Sequence, residues 1–376
     1  MCLCALLILT SIVNLDSRIE SFSWLGNFLK YYLSKIQFET DKPYKSEDPR
    51  WDDFASKLNQ VIHKTIQINQ WFTESNIQFG LSQVARLLNK NNVLEWISNY
   101  PAKTFDPEHS LTIGSVIAGN IPLVGFHDFL CILISGHTFK GKLSSRDNKL
   151  LPFLTELLIE YDKDWVERIH FVEVKLENMD AIIATGSNNT FRYFDYYFGE
   201  LPHIFRKNRN GIAVLNGSET NEELKALGED IFLYFGLGCR NVSKILVPVN
   251  YSFEKLFDAI EEFKKVSDHN KYMNNYNYYR AVYLLNQIPH LDNGFILLKQ
   301  DTEISSPIGT LYYDFYSDQE QLSKNIDARK EDIQCLIGHE IPGFQMIPFG
   351  FSQHPELWDY SDDVDTIKFL SNLAKN

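Results

Sequence analysis

The sequence predicts an α/β protein with a helical N-terminal region, and three observations predict it. From Asp16 to about Tyr100, apolar residues recur at three and four positions, the period of amphipathic helices. After Pro101 the texture changes to short β-like runs separated by helices, an alternation that predicts a parallel sheet with helices on its faces. The chain has 376 residues, 44% hydrophobic and 23% charged, an ordinary globular composition with room for two sizeable domains.

In chain order, the apolar start MCLCALLILTSIV has no positive n-region and no small-x-small cleavage site, and it is too short to span a bilayer. We expect residues 1–15 to be a non-native or unstructured extension. RIESFSWLGNFLKYYLSKI and WDDFASKLNQVIHKTIQINQWF are the first helices, with Asp and Ser available as caps. LTIGSVIAG, IPLVGFHDFLCILIS, FKGKLSS, NKLLPFLTELLIEY, MDAIIATGS, FRYFDYYFGEL and GIAVLN carry the alternation forward. A helix-like ETNEELKALGEDIFLYF then runs into GLGC, and a strand-like SKILVP runs out of it. The amphipathic EKLFDAIEEFKKV, then GFILLK, GTLYYDFYS and IQCLIG, continue the pattern, while HNKYMNNYNYY reads as a polar loop opening a helix. There are no internal repeats and no Gly/Ser linker.

A net charge of -13 argues against nucleic acid as a partner, though local basic groups can still hold a phosphorylated ligand. Five scattered cysteines are too few for a disulfide framework, which points to a reduced, cytoplasmic setting. The ten histidines form no HExxH, so no metal is expected, and there is no GxSxG elbow. GHTFKGKL (136–143) has the glycine spacing and lysine of a phosphate-binding loop. It places Leu143 where a Mg²⁺-binding hydroxyl is needed and lacks the following helix, which excludes a kinase or ATPase.

Cys239, directly after Gly236-Leu237-Gly238, is either a small packing group or a nucleophile held where substrate reaches it. Asn120 stands between a strand and a helix, where its amide either caps the helix or points at an oxyanion. Thr185-Gly186-Ser187 joins another strand to another helix, which leaves backbone N–H groups free for a dinucleotide or makes Gly186 a turn glycine. Glu340, in HEIPG, is a ligand or a surface carboxylate.

GNIP, KLSS, ATGS, GLGC and HEIPG, in that order, resemble the motifs of the aldehyde dehydrogenase superfamily. VIAGNIPLVGFHDFL, FRKNRNGIAVLNG, YFGLGCRNVSKILVP, MIPFG and DYSDDVDT are most similar to its LuxC-type acyl-CoA reductases, the fatty acid reductases. The resemblance runs from about Asp16 onward. It implies an aldehyde dehydrogenase-like fold, with a helical region and a Rossmann-type NADP(H)-binding domain over 16–202 and a cysteine-bearing α/β catalytic domain over 203–376. It implies further that Cys239 accepts the acyl group and that Asn120 and the Cys239 N–H form the oxyanion hole. Lys142 then faces the adenosine ribose, Thr185, Gly186 and Ser187 flank the cofactor, and Glu340 meets the nicotinamide ribose. Hydrolytic relatives place a water-activating glutamate where an ungapped comparison puts His203, so His203 is the candidate proton relay. Where NAD-preferring relatives carry a glutamate after the ribose lysine, this chain has Ser145 and Arg146, which favours NADPH. Arg240 is expected to lower the Cys239 pKa. The implied activity is NADPH-dependent reduction of a long-chain fatty acyl-CoA to the aldehyde. The alternatives are an aldehyde-oxidising dehydrogenase and a non-reducing acyl-binding or acyl-transfer protein. The resemblance also implies an acyl-activating or acyl-transferring partner and homo-oligomers.

Overall fold

The structure, a computed structural model, describes residues 14–39, 42–186 and 188–373. The helical N-terminal region is α1 (Leu15–Lys35), α2 (Trp51–Ile68), α3 (Glu74–Leu87) and α4 (Lys90–Ser98). Asn14 caps α1 by accepting from the Ser17 N–H at 2.9 Å, and Phe22, Leu25, Leu29 and Tyr32 make one buried face at three- and four-residue spacing. Residues 14 and 15, expected to belong to an extension, are thus the cap and first residue of α1. The rest of that expectation, with Cys2 and Cys4, lies outside the described residues.

The first sheet contains β1 (Thr112–Ile117), β2 (Thr138–Leu143), β3 (Ile169–Phe171), β4 (Ala181–Thr185) and β5 (His203–Arg206) in the order β3-β2-β1-β4-β5, all parallel. Helix α5 (Phe126–Ile134) follows β1, α6 (Leu150–Tyr161) follows β2 and α7 (Asn188–Phe198) follows β4. Such a crossover order opens a crevice outside the carboxyl ends of β1 and its neighbours. Most of the stretch that mimics a phosphate-binding loop is β2: Lys140, Gly141 and Lys142 pair with β1 in extended backbone, and Gly136 stands before the strand at φ 82.

The second sheet contains β6 (Asn210–Val214), β7 (Val242–Pro248), β8 (Leu291–Asp292), β9 (Leu297–Gln300), β10 (Thr310–Tyr316), β11 (Ile333–Gly338) and β12 (Met346–Ile347). Its order is β12-β11-β6-β7-β10-β9-β8, parallel except for β8 against β9. Helices α8 (Asn221–Phe232), α9 (Glu254–Ile260), α10 (Asn270–Leu285) and α11 (Gln319–Asp327) belong to this half, and α12 (Thr366–Leu373) ends the described chain. The Asn/Tyr-rich stretch is α10 from its second residue, Asn270, not a loop. His269 accepts from the Tyr272 N–H, and Tyr272, Tyr276 and Tyr283 bury one face, so packing overrides the weak helix propensity of asparagine.

The boundary expected at 202/203 falls later. β5 pairs with β4 and belongs to the first sheet, so the crossing to the second sheet is at residues 207–209. The C-terminal segment also returns: Leu357, Ile367 and Leu370 join the core of the first half. Arg206, 4% exposed, fastens this return. Its guanidinium donates to Asp128 of α5 at 2.6 Å, to the Ser361 carbonyl at 2.6 Å and to the Thr366 hydroxyl at 3.0 Å. A buried cation is tolerated because its donors are taken up in this way.

Candidate active site

The nucleophile candidate sits on a turn that the backbone does not adopt cheaply. After α8, Tyr234 (φ 53, ψ 22) and Phe235 (φ 58, ψ 26) are both left-handed, and Gly236 follows at φ 77. Non-glycine residues there cost of order 1 kcal/mol each and persist only where surroundings enforce them. Here the surroundings come from the helical N-terminal region and α10: Tyr234 packs edge-on against Phe79, and Phe235 lies against Trp71 and His269. The chain then passes through Leu237 and Gly238 to Cys239, three residues before β7.

Asn241 fixes the next step. Its Oδ1 accepts from the Gly238 N–H at 2.8 Å, and its Nδ2 donates to the carbonyls of Asp230 and Leu233, both at 2.9 Å. A Cβ on Gly238 would stand 2.8 Å from that same Oδ1, so only glycine fits this approach. Asp230 in turn accepts from the N–H groups of Gly350 (2.7 Å) and Ser352 (2.9 Å), and the Ser352 carbonyl accepts from Arg240 Nε at 2.6 Å. The segment after β12 is thereby tied to the cysteine turn.

Asn120 reaches this turn from the other half of the molecule. It lies on the loop between β1 and α5, and its Nδ2 donates to the Leu237 carbonyl at 2.7 Å. It does not cap α5, which starts at Phe126. Asn69, at the end of α2, donates to the carbonyl of neighbouring Gly119 at 3.3 Å and steadies the loop. The carboxyl edge of the first sheet therefore meets the amino edge of the second, with Asn120 and Cys239 brought together there.

Cys239 keeps part of its surface open. Burial nevertheless pushes its thiol above the ordinary value; Arg240 and Arg206 pull it down, and Asp362 adds to the rise. The expectation that Arg240 lowers the pKa is corrected in its net sign, because the cost of burying a thiolate outweighs the nearby positive charge. The Cys239 N–H lies against its own sulfur and also pulls the thiol pKa down.

Lys142 is the penultimate residue of β2, and its Nζ donates to the Val174 carbonyl at 2.6 Å. Ser145 and Arg146 are exposed on the loop after it, and a Cβ on Gly119 would stand 3.1 Å from the Arg146 Cβ, so this loop touches the one carrying Asn120. Thr185 is the last residue of β4. The Gly186 N–H is not free, since it donates to the Arg206 carbonyl at 3.4 Å. What glycine provides there is room, because a Cβ would come within 2.9 Å of Phe194 on α7. Ser187 lies outside the described residues.

Two expected site residues are placed elsewhere. His203 begins β5, so it lies roughly 10 Å along the strand from the carboxyl edge. It is exposed, stacks on Phe205 and is bonded to the Leu201 carbonyl at 2.7 Å. The residue at the carboxyl end of β5 is Arg206. Glu340 is exposed just past the carboxyl end of β11, the opposite edge of the second sheet from Cys239. Its neighbour His339 is bonded there to Asn216 (3.2 Å) and Glu223 (2.7 Å). Neither residue converges with Cys239 and Asn120. Among the described residues no group of three or more His, Cys, Asp or Glu is arranged to hold a metal ion, and no helix is long and apolar enough to cross a membrane.

Asp230, missed by the sequence reading, carries a pH signature. Burial raises its pKa from 3.8 to about 6. The folded state then binds its proton more tightly than the unfolded state, so its contribution to stability falls as pH rises from about 4 to about 6. The stability of the wild type relative to Asp230→Asn is expected to drop by up to about 3 kcal/mol across that window and to level off above it. Denaturant titrations of both proteins at a series of pH values measure this; a difference that is flat, or that grows with pH, contradicts it.

No protein-family model matches the chain. A stretch of 210 residues is 28% identical to coagulation factor VIII of Sus scrofa, and one of 200 residues is 28% identical to that of Mus musculus; they cover 49% and 46% of this chain. The chain spans about a tenth of the length of these curated relatives, or 10% and 8%, and the likeness assigns it no activity. Among solved structures, the chain is similar to an aldehyde dehydrogenase of Physcomitrella patens in complex with the product succinate, with TM-score 0.59 and 12% identity, covering 95% of this chain and 88% of that one. It is also similar to a Mycobacterium tuberculosis aldehyde dehydrogenase complexed with NAD+, with TM-score 0.56 and 12% identity over 88% and 77% of the two chains. A Bacillus cereus aldehyde dehydrogenase in its NAD+ complex gives TM-score 0.52 and 13% identity, over 86% and 75%. The fold is aldehyde dehydrogenase-like, as the ordered motifs implied, with a helical N-terminal region.

Proposed function

We propose that this protein is an acyl-CoA reductase that converts a long-chain fatty acyl thioester to the aldehyde, with NADPH as reductant and an acyl-cysteine on Cys239. One observation carries the reading: the Asn120 amide is bonded at 2.7 Å to the Leu237 carbonyl, two residues before the thiol. One Nδ2 hydrogen serves that contact and the second remains for an oxyanion.

The residues at the carboxyl edge of the first sheet fit a nicotinamide dinucleotide. Parallel strands in this order offer the crevice, α7 begins three residues after β4, and an amine, a hydroxyl and a guanidinium stand on or after β2. Lys142, Ser145 and Arg146 would hold the adenosine side, with Arg146 on a 2′-phosphate, and Thr185 and Gly186 would border the cofactor. When bound, the dinucleotide supplies the hydride that brings the acyl group to the aldehyde level.

Cys239 attacks the thioester carbonyl; its sulfur bonds to the acyl carbon, the bond to the carrier sulfur breaks, and the thiol proton leaves with the carrier. Burial holds the thiol's pKa above its ordinary value. Asn120 Nδ2 and the Cys239 N–H hold the oxyanion. Near the carboxyl end of β5, the Asp128 carboxylate is paired with Arg206, and Asp362 lies 3.5 Å from Arg209 Nε, so neither carboxylate stands as a free base for water. This favours thioester reduction over aldehyde oxidation to the acid, the chemistry named for the solved neighbours. The same proposal carries an acyl-activating or acyl-transferring partner, a homo-oligomer and a cytoplasmic setting.

The test is purified protein with NADPH and a series of acyl-CoAs, following the absorbance of the reduced nicotinamide and the aldehyde formed. Oxidation with none of them, or acid formation from aldehyde without CoA, overturns the reading. Arg146→Ala is expected to raise the KM for NADPH about tenfold and to leave that for NADH unchanged, since one charge-assisted contact is removed.

A further inference from the structure

The amide of Gln353 has no work inside the fold. Gln353 follows β12 and is only 8% exposed, yet no hydrogen bond among the described residues ends on either atom of its amide. Its Nε2 is enclosed without an acceptor. The amide stands at the cysteine turn, because both Nε2 and Oε1 would lie 3.7 Å from a Cβ on Gly238, the residue before Cys239. The backbone is anchored there through Ser352, whose N–H is held by Asp230 and whose carbonyl is held by Arg240. A buried amide costs free energy when its donor and acceptor go unused, so one kept at this place points to a group that arrives with the ligand.

A primary amide presents a donor and an acceptor side by side, and its best complement is another amide. The thioester arm shared by CoA and acyl carrier proteins has one, a short alkyl spacer away from the reacting sulfur. Aldehydes and simple alkyl thioesters have none. We infer that Gln353 is a specificity-determining residue that reads the first amide of the pantetheine arm of the acyl donor; this rests on the proposed acyl-thioester reading of the Cys239 site. Gln353 thereby favours carrier-bound acyl groups over free aldehydes and holds the leaving sulfur beside Cys239.

The experiment uses the full-length protein and two thioesters of one fatty acid: the N-acetylcysteamine thioester, which keeps that amide, and the S-ethyl thioester, which lacks it. The ratio of their kcat/KM values is measured within each preparation, so a partly unfolded variant does not distort it. In Gln353→Met the ratio is expected to fall roughly tenfold, the value of one or two hydrogen bonds. An unchanged ratio, including an equal loss on both substrates, overturns the inference. Acyl-CoA and acyl-carrier-protein thioesters run alongside identify which carrier brings the amide; a loss on neither also overturns it. Apart from turnover, pantetheine titrated into wild type and Gln353→Met should bind about tenfold more weakly to the variant. Equal binding, or none to the wild type, defeats the inference, whereas a wild type that binds pantetheine but oxidises no NADPH defeats only the proposed function.

Discussion

Replacing Cys239 by Ala is expected to remove thioester reduction altogether, with kcat lower by at least about four orders of magnitude, because the covalent route has no second nucleophile to take over. Cys335 is a free thiol on β11, its Sγ 3.9 Å from the Arg240 carbonyl, but burial pushes its pKa up to about 12, so it does not substitute. The loss should be one of chemistry and not of folding, because the Cys239 side chain makes none of the contacts that shape its turn. Those run through Asn241, Asn120 and the aromatic packing of Tyr234 and Phe235. Mass spectrometry after mixing with acyl-CoA, without reductant, should show one acyl adduct on the wild type and none on the variant. An adduct that survives in Cys239→Ala places the acyl group on another residue and refutes the assignment.

Asn120→Ala is expected to lower kcat by about two to three orders of magnitude, the usual cost of one oxyanion donor, with little change in KM. Two effects act in the same direction. The donor to the oxyanion is gone, and the Leu237 carbonyl loses its partner at 2.7 Å, which loosens the turn. Asn120→Asp separates them: a carboxylate has the same shape but repels both the Leu237 carbonyl and a developing oxyanion, so it should be at least as slow as Ala. Single-turnover acylation measured for both variants is the readout. If acylation stays at the wild-type rate in Asn120→Asp, the amide is not an oxyanion donor.

Much of this architecture was readable from the residues. The alternation after Pro101 is the two parallel sheets, and the short Asn120 and Cys239 motifs meet across them because each lies next to a strand end that faces the other half. What was not readable is which end of a strand a residue occupies. His203 and Glu340 sit in segments with the expected composition, but a shift of three residues in β5, or a motif placed after β11, moves a side chain to the wrong edge of a sheet. The sign of the Cys239 shift was missed for a related reason: Arg240 is adjacent in sequence, whereas the burial that outweighs it comes from segments distant along the chain. Asn69, Asn241 and Asp230 have no motif, and their importance lies in backbone groups that only the fold brings within reach.

The left-handed run at 234–236 also bears on how such a protein can be rebuilt. Its conformation is enforced by Phe79 and Trp71, residues that come more than a hundred positions earlier in the chain. The first helices are therefore not a detachable module. A chimera that grafts them from a distant homologue must bring matching aromatic partners, or it will inherit a thiol aimed in the wrong direction.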